Sequence, residues 1–178
     1  MRFKLPVLLL SLIMPQAATA HVVFNETQVK PGELATFGLR VTHGCSGTPT
    51  TEIRVHLPEG ITRVTPRALS GWDVSVVKRP LPAPVTLHGQ TLTETVASLI
   101  WRGGAVPDFA FEQFEFRALV PQTPGATLYF PVEQICADGR HDWKAIPATP
   151  AEWGALKEPA PFVTIAQEPV AKAKGHHH

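Results

Sequence analysis

The chain has 178 residues, 44% hydrophobic and 17% charged, a composition that fits a globular domain and excludes wholesale disorder. Its formal net charge of +1 supplies no basic excess for holding nucleic acid. Eighteen prolines and 13 glycines work against long helices and favour short strands joined by turns, so an all-β domain is expected.

The first element in chain order is a leader. Arg2 and Lys4 precede an apolar run from Leu5 to Met14 that is too short to span a bilayer, and Ala18-Thr19-Ala20 places small residues at a cleavage site. Residues 1–20 are therefore expected to be a cleaved secretory signal, leaving 158 of the 178 residues. Losing Arg2 and Lys4 reduces the 16 basic residues to 14 against 15 acidic, a mature net charge of −1. No later stretch approaches the ~18 apolar residues of a membrane helix. The expected location is the periplasm or the exterior, with no membrane anchor in the mature chain.

Strand-like stretches follow. Leu34 to Val41 alternates roughly; Glu52 to Leu57 sets Ile53, Val55 and Leu57 against Glu52, Arg54 and His56; Trp72 to Val76 sets Trp72, Val74 and Val76 against Asp73 and Ser75. Leu92 to Trp101, Phe109 to Leu119, Thr127 to Gln134 and Phe162 to Ile165 complete the set. Turn signals separate them at Pro31-Gly32, Pro58-Glu59-Gly60, Ser70-Gly71, His88-Gly89, Gly103-Gly104, Pro124-Gly125 and Asp138-Gly139. Short strands at this spacing predict a two-sheet sandwich of immunoglobulin-like proportions over residues 21–166. One helical turn or two is expected at Pro150 to Leu156, with Thr149 as N-cap and Pro150 at N1. Residues 167–178 are polar and aperiodic and end in His176-His177-His178, which reads as a flexible tail and a candidate auxiliary metal-binding segment.

Two cysteines in an exported chain imply one disulfide, and Cys45 with Cys136 is the one intramolecular pairing available. That bond would bring together the residues flanking each cysteine: His43 and Gly44 on one side, Asp138, His141, Asp142 and Trp143 on the other.

Cleavage after Ala20 makes His21 the first residue. Its α-amino group, with an ordinary pKa of ~7.7–8.0, and its imidazole Nδ1 can then chelate one metal ion. A solvated strand end is the plain alternative. Both methionines, Met1 and Met14, lie in the leader, so no thioether remains for Cu(I) and a free thiolate is not expected. Nitrogen donors select Cu(II), with Zn(II) as a substitute. His43 is the nearest candidate partner; otherwise it hydrogen-bonds within the Gly44-Cys45 turn. Trp143 cannot be an ordinary ligand, since its indole N–H only donates; it covers an open coordination face, donates to a bound group, or packs on the disulfide as a core aromatic. His56, on the polar phase of a strand, and His141, in a turn, read as structural or solvated.

His21-Val22-Val23 after the cleavage site, RVTHGCSGTPTTEIRVHLPEG (Arg40 to Gly60), Gly71-Trp72-Asp73-Val74, FAFEQFEFR (Phe109 to Arg117) and YFPVEQICADGRHDW (Tyr129 to Trp143) with Pro159-Ala160-Pro161 together resemble the YcnI-like family of bacterial exported copper-binding proteins. The resemblance covers His21 to about Ile165. It implies an Ig-like β-sandwich that binds Cu(II) through the amine and imidazole of its N-terminal histidine, with a nearby acid and a tryptophan. His21 takes the first role and Trp143 the last. The family's Glu in the loop before Pro-Thr-Thr has no counterpart: Thr42 to Thr48 contains no acid, and His43 stands as the replacement. The implied function is Cu(II) storage, sensing or transfer in copper homeostasis, with another copper-handling exported or membrane protein as a partner and no enzymatic activity. The alternative is a histidine-brace copper oxidoreductase of polysaccharide-oxygenase type, which would want an axial Tyr or Phe; the one tyrosine is Tyr129.

Overall fold

The computed structural model describes residues 21–87 and 89–167; the leader, His88 and residues 168–178, including the terminal histidines, lie outside the described residues. Twelve strands are found among the described residues: β1 (Val23–Phe24), β2 (Gln28–Val29), β3 (Leu34–Val41), β4 (Thr50–His56), β5 (Thr62–Pro66), β6 (Asp73–Leu87), β7 (Gln90–Val106), β8 (Glu112–Leu119), β9 (Thr127–Tyr129), β10 (Val132–Cys136), β11 (Arg140–Trp143) and β12 (Phe162–Ile165). They form a four-stranded sheet in the order β1-β3-β8-β5, a five-stranded sheet β11-β10-β4-β7-β6 and a small sheet β2-β12-β9.

The expected Ig-like sandwich is what the chain builds, for the reason the alternation gave. On β3 the buried phase is Ala35, Phe37, Leu39 and Val41; on β8 it includes Phe114 and Phe116, with Gln113, Glu115 and Arg117 on the other phase. These residues meet Ile53 and Val55 of β4 and Leu99 and Trp101 of β7, all fully buried, in one hydrophobic core. Phe37 stacks on Phe116 with ring centroids 5.0 Å apart, and Phe24 packs edge-on to Phe130 at 4.8 Å. Opposing inward faces of two sheets filled by alternate residues are what holds a sandwich together.

Several boundaries depart from the sequence expectations. The stretch expected from Phe109 begins as strand only at Glu112; a turn closed by Ala110 N–H to the Pro107 carbonyl at 2.9 Å leaves Phe109 and Phe111 exposed. The stretch from Thr127 breaks at Phe130-Pro131, so β9 pairs with β12 while β10 pairs with β4. Gly103-Gly104 is no chain reversal: both lie inside β7, where four steps from Arg102 to Val106 oppose two from Glu52 to Thr50. That is a bulge, and the positive φ of Gly103 (86°) is the conformation a glycine supplies there. β6 and β7 run well past Trp72–Val76 and Leu92–Trp101 as a long ribbon, and Val76 and Val77 of β6 are exposed. The helical segment forms as a 3-10 helix over Pro150–Ala155 with Pro at its start, and the Thr149 side chain makes no capping bond.

Candidate functional site

The β1–β3 register carries His21 to its place. Val23 pairs with Arg40 and Phe24 with Leu39, and continuing this antiparallel pairing two residues back sets His21 beside Thr42, one residue from His43. Val22 is buried in the core, which anchors the chain immediately after His21.

Two loops meet opposite His21. Cys45 and Cys136 form a disulfide, with Cα atoms 5.8 Å apart across 91 residues of sequence. It ties the β3–β4 loop to the β10–β11 hairpin. Cys45 and Thr48 exchange backbone hydrogen bonds of 3.1 and 3.0 Å, and the Thr48 hydroxyl lies 2.8 Å from the Asp138 carbonyl across the gap. The turn closes so tightly that a Cβ on Gly44 would sit 1.8 Å from the Thr48 carbonyl oxygen, so glycine is required by close approach. Asp108 adds a third support, its Oδ1 accepting from the Gly44 N–H at 2.9 Å.

At the centre is Gln134, fully buried on β10. Its amide donates to the His43 carbonyl at 2.7 Å and to the Thr50 hydroxyl at 2.8 Å, and its Oε1 accepts from the Trp143 indole N–H at 2.9 Å. One side chain thus fixes the backbone of His43 and the orientation of Trp143. Buried amides with this many partners rigidify what they touch, because each lost bond would leave a desolvated polar atom.

Three imidazoles surround Trp143: His21, His43 and His141 lie with ring centroids 6.0, 6.3 and 5.2 Å from it. A second indole, Trp153 of the 3-10 helix, packs on His21 at 4.8 Å and is held there by its N–H donating to the Ala160 carbonyl at 2.7 Å. The His21 Nε2 is buried and makes no hydrogen bond among the described residues. His43 Nδ1 lies 2.6 Å from the Gly44 carbonyl, the turn contact named above as its structural role. His141 belongs to β11 and not to a turn; its Nδ1 lies 3.0 Å from Glu158 Oε1. Trp143 is buried with the core, and with its N–H committed to Gln134 it offers the surface only its ring.

The disulfide brings His43 together with His141 and Trp143, whereas the Asp142 carboxylate turns to Arg140 and Lys144; three contributors were missed. Gln134 had a signal: in Val132-Glu133-Gln134-Ile135-Cys136 it occupies the apolar phase with Val132 and Cys136, and a polar residue on a buried phase demands partners. Glu158 and Trp153 had none, since both arrive from a separate segment by tertiary packing. His56 is set apart, its Nε2 3.1 Å from Glu133 and its Nδ1 3.0 Å from the Ser98 hydroxyl.

Beside the site, on the outward phase of β10, Glu133 gathers Lys144 (3.0 Å), His56 (3.1 Å), Arg54 (3.5 Å) and Arg140 (3.9 Å). Partial burial alone would raise its pKa, but bonds from Lys144 and His56 with the charges of Lys144 and Arg54 outweigh it and hold the carboxyl below its ordinary range. Asp142 is likewise lowered, chiefly by its bond to Arg140 and then by Lys144.

Among the described residues no group of three or more His, Cys, Asp or Glu side chains is gathered closely enough to hold a metal ion. Two clefts of about 680 Å³ lie elsewhere, along β5, β6 and β7, one reaching Arg63 and Glu94 and the other Arg79 and Leu119.

Residues 21–165 match the family model described as a domain of unknown function (DUF1775). The chain belongs to this family. Among solved structures, the crystal structure of an uncharacterized protein from Nocardia farcinica, which reveals an immunoglobulin-like fold, aligns with a TM-score of 0.60 at 24% identity, covering 83% of this chain and 99% of that one. That likeness speaks to fold alone. A PapD-like domain of human CEP192 (14% identity, 93% and 99% covered) and the seventh ScaB type I cohesin from Pseudobacteroides cellulosolvens (10% identity, 89% and 97% covered) reach TM-scores of 0.30 and 0.35, too low to add to it. No curated protein matches the chain. None of its described helices is long and apolar enough to cross a membrane.

Proposed function

We propose that this DUF1775 protein is exported, is cleaved after Ala20, and binds Cu(II) through the amine and imidazole of His21 with His43 as a further nitrogen ligand, serving copper storage, sensing or transfer in the manner of the YcnI-like proteins it resembles. The observation that carries the reading is the His21 ring. The ring packs edge-on to two indoles, and its Nε2 is buried with no hydrogen-bond partner among the described residues. The tautomer required for chelation carries the neutral ring's proton on Nε2. A proton on Nε2 leaves the lone pair on Nδ1, the nitrogen that can close a chelate ring with the residue's own amine.

His43 supports the same reading. Facing a carbonyl, Nδ1 carries the proton in a neutral ring, and the lone pair falls on Nε2; metal-binding histidines are commonly oriented by such a carbonyl contact. The turn contact and the ligand role are thus compatible. All donors are nitrogens, which suits Cu(II) and admits Zn(II). Trp143 and Trp153 exclude water from one side of His21. For the oxygenase alternative, the one tyrosine, Tyr129, lies on β9 and packs on Phe162 at 5.5 Å.

Electron paramagnetic resonance of mature protein carrying one equivalent of Cu(II) tests the proposal. The spectrum should report three nitrogens, and His43→Ala should remove one with the fold retained. A spectrum unchanged by His43→Ala would confine His43 to its turn.

A further inference from the structure

His43 and His141 come from different loops yet lie with ring centroids 5.8 Å apart and planes at 86°. Each has its Nδ1 against an oxygen: the Gly44 carbonyl at 2.6 Å for His43, and Glu158 Oε1 at 3.0 Å for His141. Glu158 is itself positioned, its Oε2 lying 3.3 Å from the Asp142 N–H. An oxygen acceptor at Nδ1 puts the lone pair of each neutral ring on Nε2, and a carboxylate or carbonyl behind a histidine is the arrangement that orients metal ligands and raises their basicity. The spacing fits one ion. With metal–nitrogen bonds of about 2.0–2.1 Å, two imidazole centroids on the same ion stand at most about 6.4 Å apart.

Gln134 sets both partners. His141 pairs with it across the β10–β11 ladder, and its side-chain amide holds the His43 carbonyl. Both residues are partly exposed.

We propose that His43 and His141 form a two-imidazole site for a borderline divalent cation, Cu(II) or Zn(II), through their Nε2 atoms, with Glu158 as the positioning residue of His141. The site shares His43 with the one proposed above but requires neither the amine nor the ring of His21. Two imidazoles bind more weakly than a chelating terminus joined by a third nitrogen, so the pair serves as an exchange position, where an ion rests on its way to or from His21 around Trp143.

The test uses the mature chain with His21→Ala, and with His176, His177 and His178 also replaced by Ala so that the tail does not compete. Titrated with Cu(II), this protein should retain one equivalent with two imidazole nitrogens in its spectrum. Adding His141→Ala, or His141→Gln if the alanine variant melts early, should remove one nitrogen and weaken binding at least about 10-fold; Glu158→Gln should weaken it by about 10-fold with both nitrogens kept. Affinity and nitrogen count unaffected by both His141 changes would overturn the proposal, as would the absence of Cu(II) binding in the His21→Ala background. Failure of the His21 reading is separable: there, blocking the terminal amine of the otherwise unchanged protein leaves affinity untouched while His141→Ala still lowers it.

Discussion

The two ends of the sandwich are built on opposite principles. At the histidine end, a disulfide, a buried glutamine and two indoles tie together the β3–β4 loop, the β10–β11 hairpin and the segment at His21. At the other, β6 and β7 run on as a ribbon whose pairing is interrupted between Pro80 and Val85, with Val76, Val77 and Val85 exposed. The prolines are tolerated because β6 is an edge strand, where a missing N–H breaks no central ladder. The buried polar groups differ in connection: on the ribbon the buried Thr95 hydroxyl donates to the Ile61 carbonyl, whereas Gln134 and Thr50 are wholly buried, bonded to each other and both bonded to the His43 carbonyl. A ribbon needs no such accuracy; the metal centre proposed for the histidine end would.

The contrast breaks most visibly at the disulfide. Reducing Cys45–Cys136, or replacing both by Ala, should lower the unfolding free energy by up to about 4–5 kcal/mol, given the 91-residue loop it closes. Denaturant titration at constant pH reads this directly, and Cu(II) affinity should fall with it. A loss under about 1 kcal/mol would mean that the histidine end is held by packing alone.

Gln134→Ala comes next. It strands the Trp143 N–H in the core and leaves the His43 carbonyl and the Thr50 hydroxyl to their 3.4 Å bond with each other, at an expected cost of about 3 kcal/mol. The counterpart on the ribbon, Pro82→Ala, should change stability by less than about 0.5 kcal/mol. Similar effects from both, by thermal or chemical unfolding, would erase the distinction between the two ends.

Acid should act on the histidine end with a smaller effect. Glu133 and Asp142 have folded pKa values below their ordinary ones. Their contribution is therefore complete above the ordinary carboxylate range of about 4 and is lost as pH falls through it toward the folded values. Because Lys144, Arg54 and Arg140 are substantially exposed, solvent screening keeps the contribution modest. Metal-free Glu133→Gln protein should show a shallower loss of stability between about pH 5 and pH 3 than the parent. Superimposable pH profiles would remove Glu133 from the stability of this end.

How much of this could be read in advance depended on where each element's information lies. β3 and β8 were legible because both faces alternate over eight residues. β1, β2 and β5 were not, being two to five residues long and defined by their partners rather than by any period. β6 and β7 were truncated because Pro80, Pro82 and Gly103-Gly104 are breaking signals in a central strand but not at an edge or a bulge. The meeting of His43 with His141 and Trp143 followed from the cysteines, since a covalent link converts sequence proximity into spatial proximity. Trp153 and Glu158 reach the site only because Ala145 pairs with Pro159 beyond β11, a long-range contact with no local signature.

The central claim is that the nitrogen terminus at His21 is itself a ligand. Acetylating the α-amino group of mature protein removes that donor and leaves the His21 ring, His43, the disulfide and Gln134 as they are. Competition titration should then show Cu(II) affinity lower by at least about 100-fold, equivalent to about 2.7 kcal/mol, with one nitrogen fewer in the spectrum. Equal affinity and an equal nitrogen count in the acetylated and free-amine proteins would contradict it.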